Sequence, residues 1–165
     1  MKELRKNPVK LLSLGIIISL IGFLDALYLV YMEISGDFRC LIKGGVFQCD
    51  LVNTSPYAKL LGVHISIWGA LFYLAMIISL FIAVKSSNPF WISFILPICG
   101  LFGAIFSIYL TCIEAFVINY YCEFCLLSAI CTWILCFDVL IIKWKKFSSF
   151  FSHLDFWNFF KKPSY

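Results

Sequence analysis

The chain has 165 residues, of which 62% are hydrophobic, 19% aromatic and only 13% charged, with a net charge of +4 and a mean hydropathy of +0.96. Such a composition cannot present an ordinary wetted surface, which excludes a soluble globular domain and makes the chain an integral membrane protein. The basic residues gather into no patch on a soluble domain, which removes nucleic acid as a partner.

A bilayer-spanning helix needs about 20 mainly apolar residues, and the pattern predicts four, over residues 11–34, 65–84, 90–117 and 123–142. No train of alternating segments about ten residues long occurs, so a closed β-barrel is excluded. The first stretch is long for a signal peptide and lacks a small-x-small exit site, which predicts that it is retained. The expected fold is all-α, a four-helix transmembrane bundle, with no internal repeat and no low-complexity segment.

The loop between the first two spans, residues 35–64, contains "FRCLIKGGVFQCD". Gly44 and Gly45 separate Cys40 from Cys49 and give the segment the freedom to change partners. Downstream, "SPYAKLLG" predicts a short half-helix on the membrane surface, with Ser55 as N-cap, Pro56 at its first position and Gly62 as its stop. Ser55 either caps that helix alone or turns its hydroxyl toward a redox centre.

A short connection at residues 119–121 leads into "CEFC" at the start of the fourth span. Two cysteines three apart lie on one face of a first helical turn, where free backbone N–H groups and the helix dipole stabilise a thiolate, Cys122 more than Cys125. The same spacing occurs in zinc sites and structural disulfides. A zinc site needs a tight knuckle from Cys40 and Cys49, but their eight-residue gap is wide and no histidine lies close. No metal is therefore expected, and an exchanging pair is preferred over zinc or a static disulfide.

After Ile142 the chain is too polar to span. Trp144, Phe147, Phe150, Phe151, Leu154 and Trp157 recur every three or four residues among Lys, Ser, His153 and Asp155, the pattern of an interfacial helix. The division expected is a transmembrane domain over 1–142 and an amphipathic interfacial tail over 143–165.

Lys2, Arg5, Lys6, Lys10, Lys85, Lys143, Lys145, Lys146, Lys161 and Lys162 fall on one side of the membrane, ten against Arg39, Lys43 and Lys59 on the other. Cationic segments resist translocation, so both termini are expected in the cytoplasm. Cys40, Cys49, Cys122 and Cys125 then face the outer, oxidising side, where thiols pair or exchange. Cys99, Cys112, Cys131 and Cys136 fall inside spans as small apolar residues. Asp25, Glu114 and Asp138 also lie in spans, where a carboxylate is costly. Proton handling or interhelical hydrogen bonding suits the first two, while Asp138 lies near enough to the inner interface to snorkel.

The order Cys40, Cys49, Ser55, "YAKLLGV", "SIWGALFY" and then "CEFCLLSA" at the outer start of the fourth span resembles the vitamin K epoxide reductase (VKOR) family, most nearly its bacterial single-domain branch. The likeness covers about residues 10–142. It implies a four-helix bundle around a quinone, menaquinone or ubiquinone, that takes electrons from a thioredoxin-like, DsbA-type protein at the outer face of the inner cell membrane. In that scheme Cys40 accepts attack by the partner's thiolate, Cys49 attacks Cys122, Cys125 faces the quinone, and Ser55 assists. Trp68, Phe124 and Ala129 are expected to border the quinone. His64 departs from a proline found in many members, and Ala129 from a tyrosine of vertebrate members, which favours a quinone over an epoxide as acceptor. No thioredoxin-like domain is expected after Ile142, so the thiol partner is a separate protein. The rivals are a DsbB-type quinone-coupled oxidase, whose C-x-x-C belongs in the first outer loop, and a non-enzymatic scaffold stapled by two disulfides.

Overall fold

The computed structural model describes residues 2–36, 40–41, 45–86 and 90–153, and the side chains among them apart from those of 2–9, 86 and 146–153. Arg39, Lys43, Gly44 and the end of the tail, 154–165, lie outside the described residues. In chain order come α1 (Lys2–Ser35), α2 (Cys49–Thr54), a hairpin of β1 (Lys59–Leu60) and β2 (Val63–His64), α3 (Ile65–Ser86), α4 (Leu96–Ile113) and α5 (Glu123–His153). Two π-helical turns, Trp91–Ile95 and Glu114–Ile118, flank α4.

Four segments are long and apolar enough to cross a membrane, Lys10–Ser35, Ile65–Lys85, Trp91–Ile118 and Glu123–Lys145, close to the four stretches expected. Apolar side chains cover the outside as well as the inside. Ile67, Leu71, Leu74, Ile78 and Phe81 of α3 are exposed, while Tyr73, Met76 and Leu80 on its other face are buried against Leu135 and Val139 of α5. An outer surface of that kind is stable only against lipid, and the polar backbone it carries is satisfied inside each helix.

Small residues set how near the helices come. A methyl group at Gly22 of α1 would overlap the Tyr73 ring, and one at Gly100 of α4 would press on Val139 and the Cys136 backbone. α1 packs along α3 and α5, and α4 along α5, whereas α3 and α4 touch little. That weak pair leaves a gap in the bundle toward its redox end.

The loop between the first two spans corrects one expectation. Its half-helix is Cys49–Thr54, about two turns earlier than "SPYAKLLG" suggested. Pro56 disfavours helical backbone at the residue before it, and Ser55 is extended at φ −63°, ψ 154°. Ser55 therefore ends α2 rather than capping a following helix, and its hydroxyl donates back to the Val52 carbonyl at 2.8 Å. Pro56–Ala58 forms only a 3-10 turn. Gly62 stops no helix. With Leu61 at φ 55° and Gly62 at φ 80°, both central residues have the positive φ of a tight hairpin turn, pairing Lys59 with His64 and Leu60 with Val63.

Two further points concern the end of the bundle away from this loop. α5 runs unbroken past residue 142 to His153, so no change of backbone marks the domain boundary drawn there. Asp138 does not snorkel: it is 4% exposed, its carboxylate faces Gly15, and neither oxygen has a hydrogen-bond partner among the described residues.

Candidate functional site

The loop is stitched to the start of α5 by a single parallel bridge between Phe47 and Tyr121. Tyr121 N–H donates to the Val46 carbonyl at 2.9 Å and Gln48 N–H to the Tyr121 carbonyl at 3.1 Å. The Leu41 N–H also donates to the Glu123 carboxylate. These bonds hold the first turn of α2 beside the first turn of α5. Cys49 and Cys122 thus share one buried cluster with Leu29, Val52 and Phe124, and Cys40 and Cys125 pack against it.

The two pairs are in different states. Cys40 and Cys49 are joined in a disulfide with Cα atoms 5.5 Å apart, whereas Cys122 and Cys125 are free thiols. With both loop sulphurs in the bond, neither is a thiolate ligand for zinc. A scaffold stapled through both pairs would need the second pair closed as well.

Cys122 occupies the N-cap of α5, since Leu126 N–H donates to its carbonyl at 3.0 Å. Its sulphur does what a capping oxygen normally does, accepting Cys125 N–H at 3.4 Å. The Asn53 amide reaches the same sulphur at 3.5 Å and the Cys49 carbonyl at 2.8 Å. Hydrogen bonds from the Cys125 thiol, the Cys125 N–H and Asn53 together outweigh burial and the neighbouring Glu114 carboxylate, and they hold the Cys122 thiol below its ordinary value. Donors aimed at a sulphur favour its charged form. Cys122 is thus the better nucleophile at neutral pH and the better leaving group, although it is 0% exposed and reachable only from its own neighbours.

Cys125, one turn on, borders a different space. A cavity of about 180 Å³ opens between α3 and α4, over α5 and under the loop, with Cys125, Trp68, Phe72, Phe106 and Ala129 on its walls. It is larger than the apolar cavity of about 150 Å³ that admits benzene. The Tyr73 hydroxyl, bonded to the Ser128 carbonyl at 2.7 Å and the Thr132 hydroxyl at 2.8 Å, lies on its inner wall. Ser107 Oγ also lines it, buried and without a hydrogen-bond partner among the described residues. A flat aromatic ring carrying carbonyl oxygens fits such a space, since its faces meet aromatic walls and its oxygen would accept from the unused hydroxyl.

Of the residues singled out from sequence, the structure brings Cys125, Trp68, Ala129 and Ser55 to the cavity wall, and Cys40, Cys49 and Cys122 to the cluster beside it. Phe124 stands elsewhere: it does not line the cavity and packs on Tyr28 with ring centres 4.9 Å apart. His64 lines the cavity and pairs through Nδ1 with Glu33 Oε2 at 3.4 Å. Glu114 is on the wall too, whereas Asp25 is buried away from it, near Tyr73 and Cys131.

Sequence reasoning missed Asn53 and Ser107. Asn53 follows Cys49 by four, so on a helix both lie on one face. That signal was present but fell on a segment not read as helix. Ser107 carries no signal of its own, because serine within an apolar span ordinarily bonds the carbonyl one turn back, as Ser19 does to Gly15 at 2.8 Å.

The family model described as Vitamin K epoxide reductase family (VKOR) matches residues 13–140, which takes in both cysteine pairs and all four spans. No curated protein matches the chain.

Proposed function

The chain belongs to the vitamin K epoxide reductase family of membrane thiol-disulfide oxidoreductases, and from that premise we propose that it reoxidises a separate thioredoxin-like, DsbA-type protein and passes the electrons to a quinone, so supporting disulfide bond formation. One observation carries this reading. The two cysteines of the C-x-x-C pair face different neighbours: Cys122 faces Asn53 and the loop pair, while Cys125 lines the ring-sized cavity. A pair built that way can receive electrons on one side and deliver them on the other.

The steps follow from what each sulphur can do. A thiolate of the partner attacks Cys40, the Cys40–Cys49 bond breaks, and Cys49 leaves as a thiolate. Cys49 then attacks Cys122 in an oxidised Cys122–Cys125 pair, and Cys125 leaves as a thiolate. The partner's second thiolate displaces Cys40, and Cys40 resolves the Cys49–Cys122 bond. The partner and the loop pair thus end oxidised, and Cys122 and Cys125 hold both electrons. Asn53, bonded to both the Cys49 carbonyl and the Cys122 sulphur, keeps attacker and target together. A bound quinone supplies the two-electron sink, menaquinone or ubiquinone, with Trp68 and Ala129 on the wall and Ser107 offering its hydroxyl. Trp68 and Phe102, 38% and 68% exposed, leave the wall open toward the lipid, a route for a lipid-soluble ligand.

The ten-to-three distribution of Lys and Arg supports a topology with both termini in the cytoplasm and this site at the outer face of the inner membrane. The test is to purify the protein from cells, extract its lipid and record a quinone spectrum, then follow quinone reduction by a reduced DsbA-type substrate. Wild type is expected to carry quinone and reduce it, and Cys125→Ser to fail. Normal quinone reduction by Cys125→Ser would remove the assignment.

A further inference from the structure

We propose that Glu114 is the proton-exchanging group of the Cys122–Cys125 pair, giving a proton to the Cys125 sulphur as that sulphur leaves and taking one back when the pair closes again. The inference rests on the reading of Cys122–Cys125 as the pair that carries electrons, and it adds a carboxyl to what had been a chain of sulphurs.

Four observations meet at this residue. Glu114 opens the π-helical turn Glu114–Ile118 at the outer end of α4; such turns often re-aim side chains at functional sites. It is 5% exposed, and among the described residues no Lys, Arg or His forms an ion pair with it. Its Oε2 accepts the Cys122 N–H at 3.3 Å, and its carboxyl is in hydrogen-bonding contact with the Cys125 thiol. It lies on the wall of the same cavity as Cys125.

A buried carboxyl with no cation beside it is costly as an anion. An amide would satisfy the Cys122 N–H equally well, so anchoring α5 does not require an acid here. What an acid adds is a proton that can move. When the Cys49 thiolate attacks Cys122, a sulphur–sulphur bond forms between them and the Cys122–Cys125 bond breaks. The electron pair goes to Cys125, which is half-buried at an apolar cavity wall where a thiolate is poorly solvated. The Glu114 carboxylic acid transfers its proton to that sulphur and becomes a carboxylate. In the reverse direction the carboxylate removes the Cys125 proton as the Cys122–Cys125 bond re-forms.

The experiment needs neither quinone nor partner. Full-length protein with both pairs oxidised is mixed with a small dithiol, quenched with an alkylating reagent at timed intervals, and mapped by peptide mass across pH. Opening of Cys40–Cys49 is the internal control. Glu114→Gln keeps the acceptor for the Cys122 N–H but cannot release a proton. It is expected to slow opening of Cys122–Cys125 by at least about a hundredfold near neutral pH, the low side of what general acid catalysis supplies, while Cys40–Cys49 opens at the wild-type rate. Glu114→Asp recovers part of the loss.

Once corrected for the thiolate fraction of the reductant, the wild-type rate falls as pH rises and the acid is lost, whereas the Gln rate lacks that fall. Cys122 and Cys125 at the start of α5 touch Glu114, and the other ionisable groups lining the same cavity are Tyr57, His64 and Tyr73, so His64→Gln is run beside it and is expected to keep the wild-type profile. A Gln variant that opens at the wild-type rate, or one that is slow but keeps the wild-type pH profile, overturns the proposal. If Glu114→Gln does not fold, a wild-type profile with no fall overturns it alone. Failure here leaves the electron path standing, because that path is judged by quinone reduction in Cys125→Ser.

Discussion

The Asn53 side-chain amide lies 3.5 Å from the Cys122 sulphur and 2.8 Å from the Cys49 carbonyl, so one neutral group in α2 touches both redox pairs. It helps hold the Cys122 thiol down and fixes the register between the loop and α5. Asn53→Ala removes a hydrogen bond to a charged sulphur and is expected to cost about 1–2 kcal/mol of thiolate stabilisation. That makes exchange between the pairs several-fold slower at neutral pH, whereas Asn53→Asp puts a like charge beside the thiolate and slows it further. The measurement is the rate at which the Cys49–Cys122 disulfide is resolved with release of the Cys122 thiolate. Equal rates in wild type and both variants would show that Asn53 only packs.

The lowered Cys122 thiol has a definite pH signature. A thiol held below its ordinary value stays charged at lower pH, so its alkylation half-rises below the usual thiol range of about 8.5. In the fully reduced protein, a small neutral reagent should give Cys122 a half-rise at lower pH than the same residue shows after unfolding in detergent. Burial slows Cys122 overall, so the position of the rise is compared and not its height. A half-rise in the folded protein at or above that of the unfolded one would contradict the hydrogen-bond assignment.

The remaining cysteines are expected to be dispensable. Cys131 and Cys136 are each 5% exposed and no described hydrogen bond ties them to the site. Replacing Cys99, Cys112, Cys131 and Cys136 together by Ala is expected to preserve quinone-dependent thiol oxidation. It should lower stability by about 1 kcal/mol for each of the two buried positions. Loss of activity in a folded quadruple variant would mean that a thiol inside the bundle carries electrons.

Close packing between α1 and α3 sets the inner wall of the cavity through Tyr73. Gly22→Val drives a side chain into the Tyr73 ring and is expected to cost about 1–3 kcal/mol, seen as a lower Tm in detergent. It also weakens ligand binding by displacing the hydroxyl bonded to Ser128 and Thr132. Gly69→Ala, which meets only the Ala26 methyl at 3.7 Å, is the matched control and should leave Tm unchanged or higher.

Much of this architecture was legible before any coordinates. Twenty-residue apolar runs dictate spans because lipid admits little else, and the cysteine order carried the family. What stayed hidden was local competition. "SPYAKLLG" has the cap, proline and stop of a helix, yet the same proline ends the preceding one at Ser55, and Gly62 serves a turn as readily as a helix stop. Phe124 lies within the C-x-x-C motif and Ala129 one turn beyond it, but only the helical phase fixed by Cys122 as N-cap decides which of them meets the cavity. Glu114 was visible as a costly residue. Its distance to Cys122 depends on the π turn and on Asn119 at φ 59°, which no periodicity announces.

The relay itself is tested by trapping it. If the partner attacks Cys40 and Cys49 then attacks Cys122, Cys40→Ser leaves the Cys49–Cys122 disulfide without the loop thiol that resolves it, and that species accumulates. The packing of Cys49 and Cys122 in one buried cluster makes the bond attainable with little movement of the backbone. In Cys49→Ser, Cys40 is a free thiol that attacks the disulfide of the oxidised partner, releasing the partner's other sulphur as a thiolate, and the mixed disulfide on Cys40 has no loop thiol to complete the exchange. Peptide mapping reads the first product and a reductant-sensitive shift on a gel reads the second. Should Cys40→Ser yield only free Cys49 beside an intact Cys122–Cys125 disulfide while the partner is oxidised at the normal rate, electrons do not pass through the loop, and Asn53 bridges two pairs that never exchange.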